Sequence, residues 1–391
     1  MNLKILLVPA RESTASFTNG EKNGWCQVSN MHKKIPVEIK TIKSLPIIVG
    51  AGITSNLSDF VNFNEYSSLI LVTDATTEKL YGQQVTEALK ATGKRVLIFT
   101  LPAGERSKSL KQVERGYQFL LENGVDRKAL LCVLGGGVVG DVGGYIASTY
   151  LRGIDYIQLP TTLLAQVDSS IGGKVGINFS GKKNMVGSFY QPRAIISDIA
   201  FLESLPPQEM RNGMAEVIKY GLAMDKGLFG IISHRERGEF APPELIDIIE
   251  RCSFLKARVV EADETERSGR RSILNFGHTV GHAVEATTRF RRQRHGEAVA
   301  IGMMAAAKIS ERLGMLSKES VHEVDKVLTQ FGLPTRCPEV SPRELLEAMQ
   351  FDKKATEGQI RWVLLEGIGR GVVNCTVDED VVAKVLTEVC Q

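Results

Sequence analysis

From Pro46 onward the chain alternates between apolar, β-branched runs and helical stretches, and this alternation restricts the fold more than any other feature of the sequence. The runs are Pro46 to Gly50, Leu69 to Thr73, Arg95 to Leu101, Ala129 to Leu134 and Tyr156 to Leu159, each followed by a polar or glycine turn and then a helical pattern. Buried strands spaced by helices assemble into a mostly parallel sheet with helices on both faces, because a parallel neighbour needs a long crossover and the crossover helix covers a face. Such a sheet binds its ligands at the carboxyl ends of the strands. Past Leu205-Pro206-Pro207 the period becomes 3.6 residues, and Met210 to Met224, Pro243 to Glu264, Leu274 to Ala286, Glu297 to Leu313 and Val321 to Phe331 read as helices. The expected organisation is an N-terminal extension over 1–42, an α/β domain with a mostly parallel sheet over 43–205 that holds a cofactor, and a mainly α-helical domain over 206–391.

Composition removes several classes of function. The net charge of +3 is too small to announce a nucleic-acid or membrane surface, and 6% aromatic residues leave little for stacking platforms on single strands. No stretch approaches the roughly 20 apolar residues of a membrane helix. The N-terminal MNLKILLVPARES has a short apolar run before Pro9 and no small-residue cleavage pattern, so no signal peptide is expected. Six cysteines are scattered singly, which suits reduced thiols and a cytoplasmic location. Residues 11 to 42 carry no clear period beyond a weak strand near Val37 to Ile42.

The sharpest local signal is Gly135-Gly136-Gly137-Val138-Val139-Gly140-Asp141, which follows the strand ALLCVL and opens a helix. Glycines at such a turn let a diphosphate lie against backbone N–H groups at a helix N-terminus; the alternative is a tight turn with no ligand. The acidic ribose anchor expected about 20 residues onward is absent, so any adenosine is held elsewhere. Asp74, at the end of LILVTD, suits either a ribose contact or a helix N-cap.

Chemistry also gathers in the helical half. Glu216 and Lys219 in MAEVIKYG share a helix face, LNFGHTVGHAVE sets His278 and His282 four residues apart, and RHGEAV adds His295. A carboxylate with two imidazoles leaves an open position on a tetrahedral metal, as catalytic sites require. Spacing alone favours His278 and His282 as the ligand pair. Arg152, Lys174, Asn184, Lys219, Arg271, Asn275 and the Asp352-Lys353-Lys354 trio would together suit a small polyanion, gripped by charge-assisted hydrogen bonds. The run Arg289 to Arg294 has no glycines and reads as a solvated loop.

Together these motifs resemble the 3-dehydroquinate synthase family of sugar phosphate cyclases, in GGGVVGDVGGYIASTYLRGI, QLPTTLLAQVDSSIGGKVGIN, KKNMVGSFYQP, MAEVIKYG, ILNFGHTVGHAVE and HGEAVAIGM. The likeness covers about residues 43 to 391. In that family an NAD-binding α/β domain precedes a helical domain, with substrate and zinc in the cleft between them. The resemblance implies ligands Glu216, His278 and His295 for zinc or cobalt, and makes His282 a substrate-side acid or base instead of a ligand. It implies NAD contacts from Asp74, Glu105, Lys108, Gly135, Gly136, Gly137, Val138, Asp141, Thr161, Thr162 and Lys183. Asp168, Asn184, Lys256 and Lys353 would bind substrate, while Lys174, Lys219, Arg271 and Asn275 join His282 in catalysis. Arg152 would reach the neighbouring subunit's site, which implies a homodimer. The chain departs from the family pattern in DETERSGRR, one residue longer than usual before Arg271, and in RFRRQR; residues 1 to 42 have no clear counterpart.

The implied reaction converts 3-deoxy-D-arabino-heptulosonate 7-phosphate to 3-dehydroquinate and phosphate, on the shikimate route to aromatic amino acids. Phosphate leaves poorly unless the neighbouring C–H is acidic, and transient oxidation at C5 by NAD provides that acidity. The hydride then returns and an aldol step closes the ring, with no net redox change. Two other readings compete. A metal- and NAD-dependent polyol dehydrogenase would form NADH, and another sugar phosphate cyclase, acting on a substrate without the carboxylate, would be expected to differ at Arg271 and Asn275.

Overall fold

The computed structural model describes residues 44–235, 240–288, 293–353 and 360–391, with side chains given up to Gln350 in the third of these stretches. Residues 44–391 cluster as one compact unit. The strand expected near Val37 to Ile42, most of the Arg289 to Arg294 run, Lys354 and the side chain of Lys353 lie outside the described residues.

The first half contributes β1 (Ile47–Gly50), β2 (Ser68–Asp74), β3 (Arg95–Leu101), β4 (Leu130–Gly135), β5 (Asp155–Pro160), β6 (Lys174–Phe179), β7 (Lys182–Phe189) and β8 (Ile195–Asp198). Among the described residues six of these form one sheet in the order β1-β8-β5-β4-β2-β3, with every neighbouring pair parallel. The five expected strands are β1 to β5. The sequence reading did not anticipate β8 or the antiparallel β6–β7 hairpin.

The apolar runs account for the layering. Leu69, Leu71, Leu130, Cys132 and Leu134 face a core that includes Leu57, Val85 and Leu89. Their alternating neighbours Ile70, Val72, Leu131 and Val133 face another that includes Val113, Val142 and Ile146. Side chains alternate across a strand, so a continuous apolar run fills both faces at once.

The second half is built on helix Pro207–Ala223, in which every residue from Asn212 to Ala223 is buried. A helix that is buried all round sits inside its neighbours, and here they include helices His278–Thr287 and His295–Arg312. The helical core also draws in Leu163, Val167, Ile199 and Leu202 from before the Leu-Pro-Pro junction. Strands β9 (Trp362–Gly367) and β10 (Arg370–Cys375) form a second hairpin.

The helix expected over Leu274 to Ala286 is broken. Arg270–Asn275 forms a short 3-10 turn, and the α-helix begins at His278. Gly277 between them has φ +79°, a left-handed conformation that glycine adopts without steric cost. The apolar period runs through the break, so periodicity could not reveal it. The break lets two helices nearly touch: a Cβ on Gly302 would lie 1.8 Å from the Gly277 carbonyl oxygen, and one on Gly281 would lie 3.1 Å from that of Ala298.

This contact makes a contrast. Gly302→Ala should destabilise the protein by about 3 kcal/mol or more, since backbone must move to admit the methyl group. Gly230→Ala, in helix Lys226–Ser233 with nothing near its Cβ position, should stabilise by about 0.5 to 1 kcal/mol. Urea unfolding midpoints of the two variants check both.

Candidate active site

The sheet order places a crevice. The chain runs from β2 outward to β3, returns to the other side of β2 as β4, and continues through β5 to β8 in the opposite direction. The reversal falls between β2 and β4, where open α/β sheets bind ligands. Asp74 ends β2, the glycine turn follows β4, and Thr161 and Thr162 follow β5, so all stand along one edge of the sheet. Helix Gly137–Thr149 starts from Gly136 with no side-chain cap on its first N–H groups. A Cβ on Gly136 would press on Thr162 at 3.0 Å, and one on Gly137 on the Ser169 hydroxyl at 3.0 Å. N–H groups without a side-chain cap, beside glycines that bring backbone close, fit a diphosphate.

The other residues proposed to bind NAD are placed as follows. Asp74 accepts from Thr76 N at 2.8 Å and Thr77 N at 3.1 Å, so it is the N-cap. Lys108, buried after β3, pairs with Asp141 at 2.6 Å and also donates to Asn184 Oδ1. It thereby ties the glycine turn to the β6–β7 hairpin. Glu105 accepts from Asn178 of that hairpin at 2.8 Å. Lys183, on β7, lies 3.5 Å from Glu285 of the helical half.

Glu216, His278 and His295 come together from three helices, each offering a ligand atom within 4.8 Å of the others. Glu216 is fully buried, at 0% exposure. Lys219, one turn along the same helix, makes an ion pair with its Oε2, yet neither carboxylate oxygen accepts a hydrogen bond of ordinary geometry. His278 presents Nδ1 to the Phe276 carbonyl at 3.2 Å and Nε2 to Glu216 Oε1 at 3.9 Å. His295 presents Nδ1 to Glu285 Oε2 and Nε2 to Glu216 Oε1, each at 3.6 Å. Both rings thus turn the same nitrogen toward one carboxylate.

The electrostatics fit a cation at that point. Burial pushes His278 down to about 3, and Lys219 adds to the shift, so its imidazole is neutral as a ligand must be. Burial also opposes charge on His295, but Glu216 and Glu285 outweigh it and raise the group to about 9. Burial would raise Glu216 as well; Lys219 and the two imidazoles hold it well below the usual carboxylate range. A divalent cation would replace the proton that His295 takes between its two carboxylates. His282 stands outside this group: it is exposed, with its ring edge-on to His278 and 5.3 Å between centroids.

Beside the cluster lies a second set of buried charges. Asp168 accepts from Lys256 Nζ at 2.8 Å and from the Tyr220 hydroxyl at 2.7 Å. Burial works against its charge, but Lys256 and Lys219 hold it below the usual range. Burial lowers Lys256 and raises Tyr220 well above its ordinary value. Arg271, at 3% exposure, donates to the Gly172 carbonyl at 3.3 Å, and its Nε is buried with no hydrogen-bond partner. Lys174 pairs with Glu266, which at φ +58° turns the longer DETERSGRR segment. Asn275 is exposed at the end of the 3-10 turn, and Arg152 is exposed on a turn following helix Gly137–Thr149.

Sequence reasoning missed three residues. Glu285 holds His295, Tyr220 holds Asp168, and Asn212 Oδ1 accepts from Gly296 N at 2.6 Å, docking the start of the His295 helix on the Glu216 helix. Glu285 had a signal: it lies seven residues past His278, so the two share a helix face.

Fold and site together place the chain among the sugar phosphate cyclases. Models described as 3-dehydroquinate synthase N-terminal and C-terminal match residues 98–212 and 213–355. The 3-dehydroquinate synthase of Syntrophotalea carbinolica is 45% identical over 342 residues, covering 86% of this chain and 92% of that protein. The chain belongs to the 3-dehydroquinate synthase family. Among solved structures, 2-epi-5-epi-valiolone synthase from Streptomyces hygroscopicus with NAD+ and Zn2+ bound aligns with a TM-score of 0.82 and 26% identity over 91% of this chain and 99% of that one. A 2-deoxy-scyllo-inosose synthase complexed with carbaglucose-6-phosphate, NAD+ and Co2+ aligns with a TM-score of 0.79 and 26% identity over 88% and 96%.

The geometry separates His282 from the three clustered groups. Glu216→Gln and His295→Ala should weaken zinc binding by more than the 10- to 100-fold that an outer-shell change costs, whereas His282→Ala should retain it. Isothermal titration of metal-free protein with zinc checks the distinction.

Proposed function

We propose that the chain catalyses the 3-dehydroquinate synthase reaction, converting 3-deoxy-D-arabino-heptulosonate 7-phosphate to 3-dehydroquinate and phosphate. The observation that carries this reading is the fully buried Glu216 carboxylate, with no hydrogen bond to either oxygen and two imidazole nitrogens turned toward it, in a chain of this family. A divalent cation, zinc or cobalt, held by Glu216, His278 and His295 supplies Lewis acidity to the substrate's hydroxyl groups. NAD at the glycine turn supplies a reversible hydride acceptor.

The chain's own side chains bind and orient the polyanion. Arg271 Nε, buried without a partner, offers a charge-assisted donor to the substrate carboxylate. This supports the heptulosonate over a cyclase substrate that lacks the carboxylate. Lys174, Asn184 and Lys256 add donors, and Lys353 completes the reading from the sequence. Asp168, kept ionised between Lys256 and Tyr220, accepts from a substrate hydroxyl. His282, exposed with its ring edge-on to His278, and Asn275, exposed at the end of the 3-10 turn, are the groups assigned to move and hold the proton of the substrate alcohol. Holding reacting groups in place in this manner can contribute about 7 to 11 kcal/mol to lowering a barrier.

The same reading makes the enzyme a cytoplasmic homodimer. In support, the five described cysteines are free, and no described helix is long and apolar enough to cross a membrane. Leu151, Arg152 and Gly153 all have positive φ, at 49°, 68° and 113°, so backbone outside the ordinary range holds Arg152 outward, toward a neighbouring subunit's site in this reading.

The test is an assay of phosphate release from the heptulosonate phosphate with NAD present. Phosphate should appear without accumulation of NADH, stop after chelation and resume on adding zinc or cobalt. Net NADH formation would point to a polyol dehydrogenase, and activity indifferent to chelation would refute the cation's role. Arg271→Lys should lower kcat/KM by about 10- to 100-fold, the equivalent of one lost hydrogen bond to a charged group at about 1.5 to 3 kcal/mol.

A further inference from the structure

Glu285 is a buried carboxylate that the chemistry above leaves without a task. It is 7% exposed, lies two turns beyond His278 on the same helix, and its two oxygens meet different partners. Oε1 lies 3.5 Å from Lys183 Nζ of β7, and Oε2 lies 3.6 Å from Nδ1 of His295. The other nitrogen of that ring, Nε2, lies 3.6 Å from Glu216 Oε1.

A neutral imidazole carries one N–H and one lone pair, and the partner of one nitrogen decides the role of the other. An ionised carboxylate only accepts. Once a cation takes the place of the ring's second proton, Glu285 holds the remaining hydrogen at Nδ1 and leaves the lone pair on Nε2, on the side of Glu216. His278 reaches the same state by another route, with Nδ1 on the backbone carbonyl of Phe276 at 3.2 Å. One ligand ring is oriented by main chain, which no substitution at Phe276 removes, and the other by a side chain. Lys183 occupies Oε1 and so keeps Oε2 turned to the ring.

We propose that Glu285 is a positioning residue of the metal centre: it fixes the orientation and tautomer of His295, so that Nε2 is presented to a divalent cation shared with Glu216 and His278. The proposal rests on reading those three residues as the cation's ligands. Glu285 acts through His295. Loss of such an outer partner costs a metal site about 10- to 100-fold in affinity.

The test titrates metal-free, full-length protein with Co2+ and follows the visible ligand-field absorption, for the wild type, Glu285→Gln, Glu285→Asp and Glu216→Gln. Far-UV circular dichroism of each metal-free protein accompanies the titration. Glu285→Gln should keep the wild-type circular dichroism, raise Kd for Co2+ about 10- to 100-fold and shift the absorption bands. Glu285→Asp keeps the charge one methylene further away, so its Kd should fall between the two; this variant carries the test if Glu285→Gln fails to fold. Wild-type Kd and spectrum in both Glu285 variants, with Glu216→Gln defective, would overturn the role of Glu285 alone. A wild-type protein that takes up no Co2+, or a Glu216→Gln variant that binds it as the wild type does, would overturn the ligand set and this proposal with it.

Discussion

A carboxylate at the centre of an apolar helix is the constraint from which the site follows. Glu216 has no access to water, and an ion withdrawn from water costs several kcal/mol unless neighbours return that energy. The neighbours are Lys219 on the same helix and the imidazoles of His278 and His295 on two others. Lys219 also acts on Asp168, which Lys256 and Tyr220 hold from the far side. These charges therefore form one network, and removing Glu216 would take from Lys219 the ion pair it makes there. Polar networks of this kind are costly when incomplete, and Glu216 is incomplete in one respect: Oε2 has the Lys219 ammonium, while Oε1 has only the two imidazole nitrogens, at 3.6 and 3.9 Å, beyond hydrogen-bond reach. A cation between it and the two rings answers that deficit.

The convergence depends on backbone as much as on charge. His278 is the first residue of its helix, and it can stand there because Gly277 turns the chain with φ +79°. His295 opens the next helix, whose Gly302 carries no Cβ where the Gly277 carbonyl passes. Asn212 docks the start of that helix one turn from Glu216. The His278 ring is held by main chain and the His295 ring by Glu285, on helices that nearly touch, so little conformational entropy is left to lose when a ligand binds.

Much of this was legible in the sequence, for reasons that differ by element. Strands β2 and β4 are continuous apolar runs because both of their faces are covered, and this produces the strongest pattern a strand can give. The β6–β7 hairpin gave no such pattern: β7 reads Lys-Lys-Asn-Met-Val-Gly-Ser-Phe and is mostly exposed, so no period marks it. Asp74 shows a different limit, since a cap and a ribose contact want the same carboxylate at the same strand end, and the recorded bonds are those of a cap. Spacing favoured His278 with His282 because residues four apart share a helix face. It carried no information about His295, which is seventeen residues from His278 along the chain, at the start of the helix that carries Gly302, and reaches Glu216 only through tertiary packing. Glu285 was legible by face and was overlooked because an acid three residues after a histidine is ordinary on a solvated helix.

The hairpin that sequence reading missed meets the helical half beside the site, and its contacts on the two sides differ in kind. Two of its side chains, Val175 and Ile177, join the core against helix Gly137–Thr149, and this anchors a pair of strands too small to stand alone. Toward the helical half its contacts are ionic: Lys183 with Glu285 and Lys174 with Glu266, while Arg271 lies over the Phe189 ring at 5.9 Å. Lys174 is 57% exposed, and exposed ion pairs are worth only about 0 to 1 kcal/mol. A phosphate or carboxylate competes for the same lysine at little cost. The hairpin is thus fixed firmly by apolar packing against helix Gly137–Thr149 and only lightly by the exposed ion pair of Lys174.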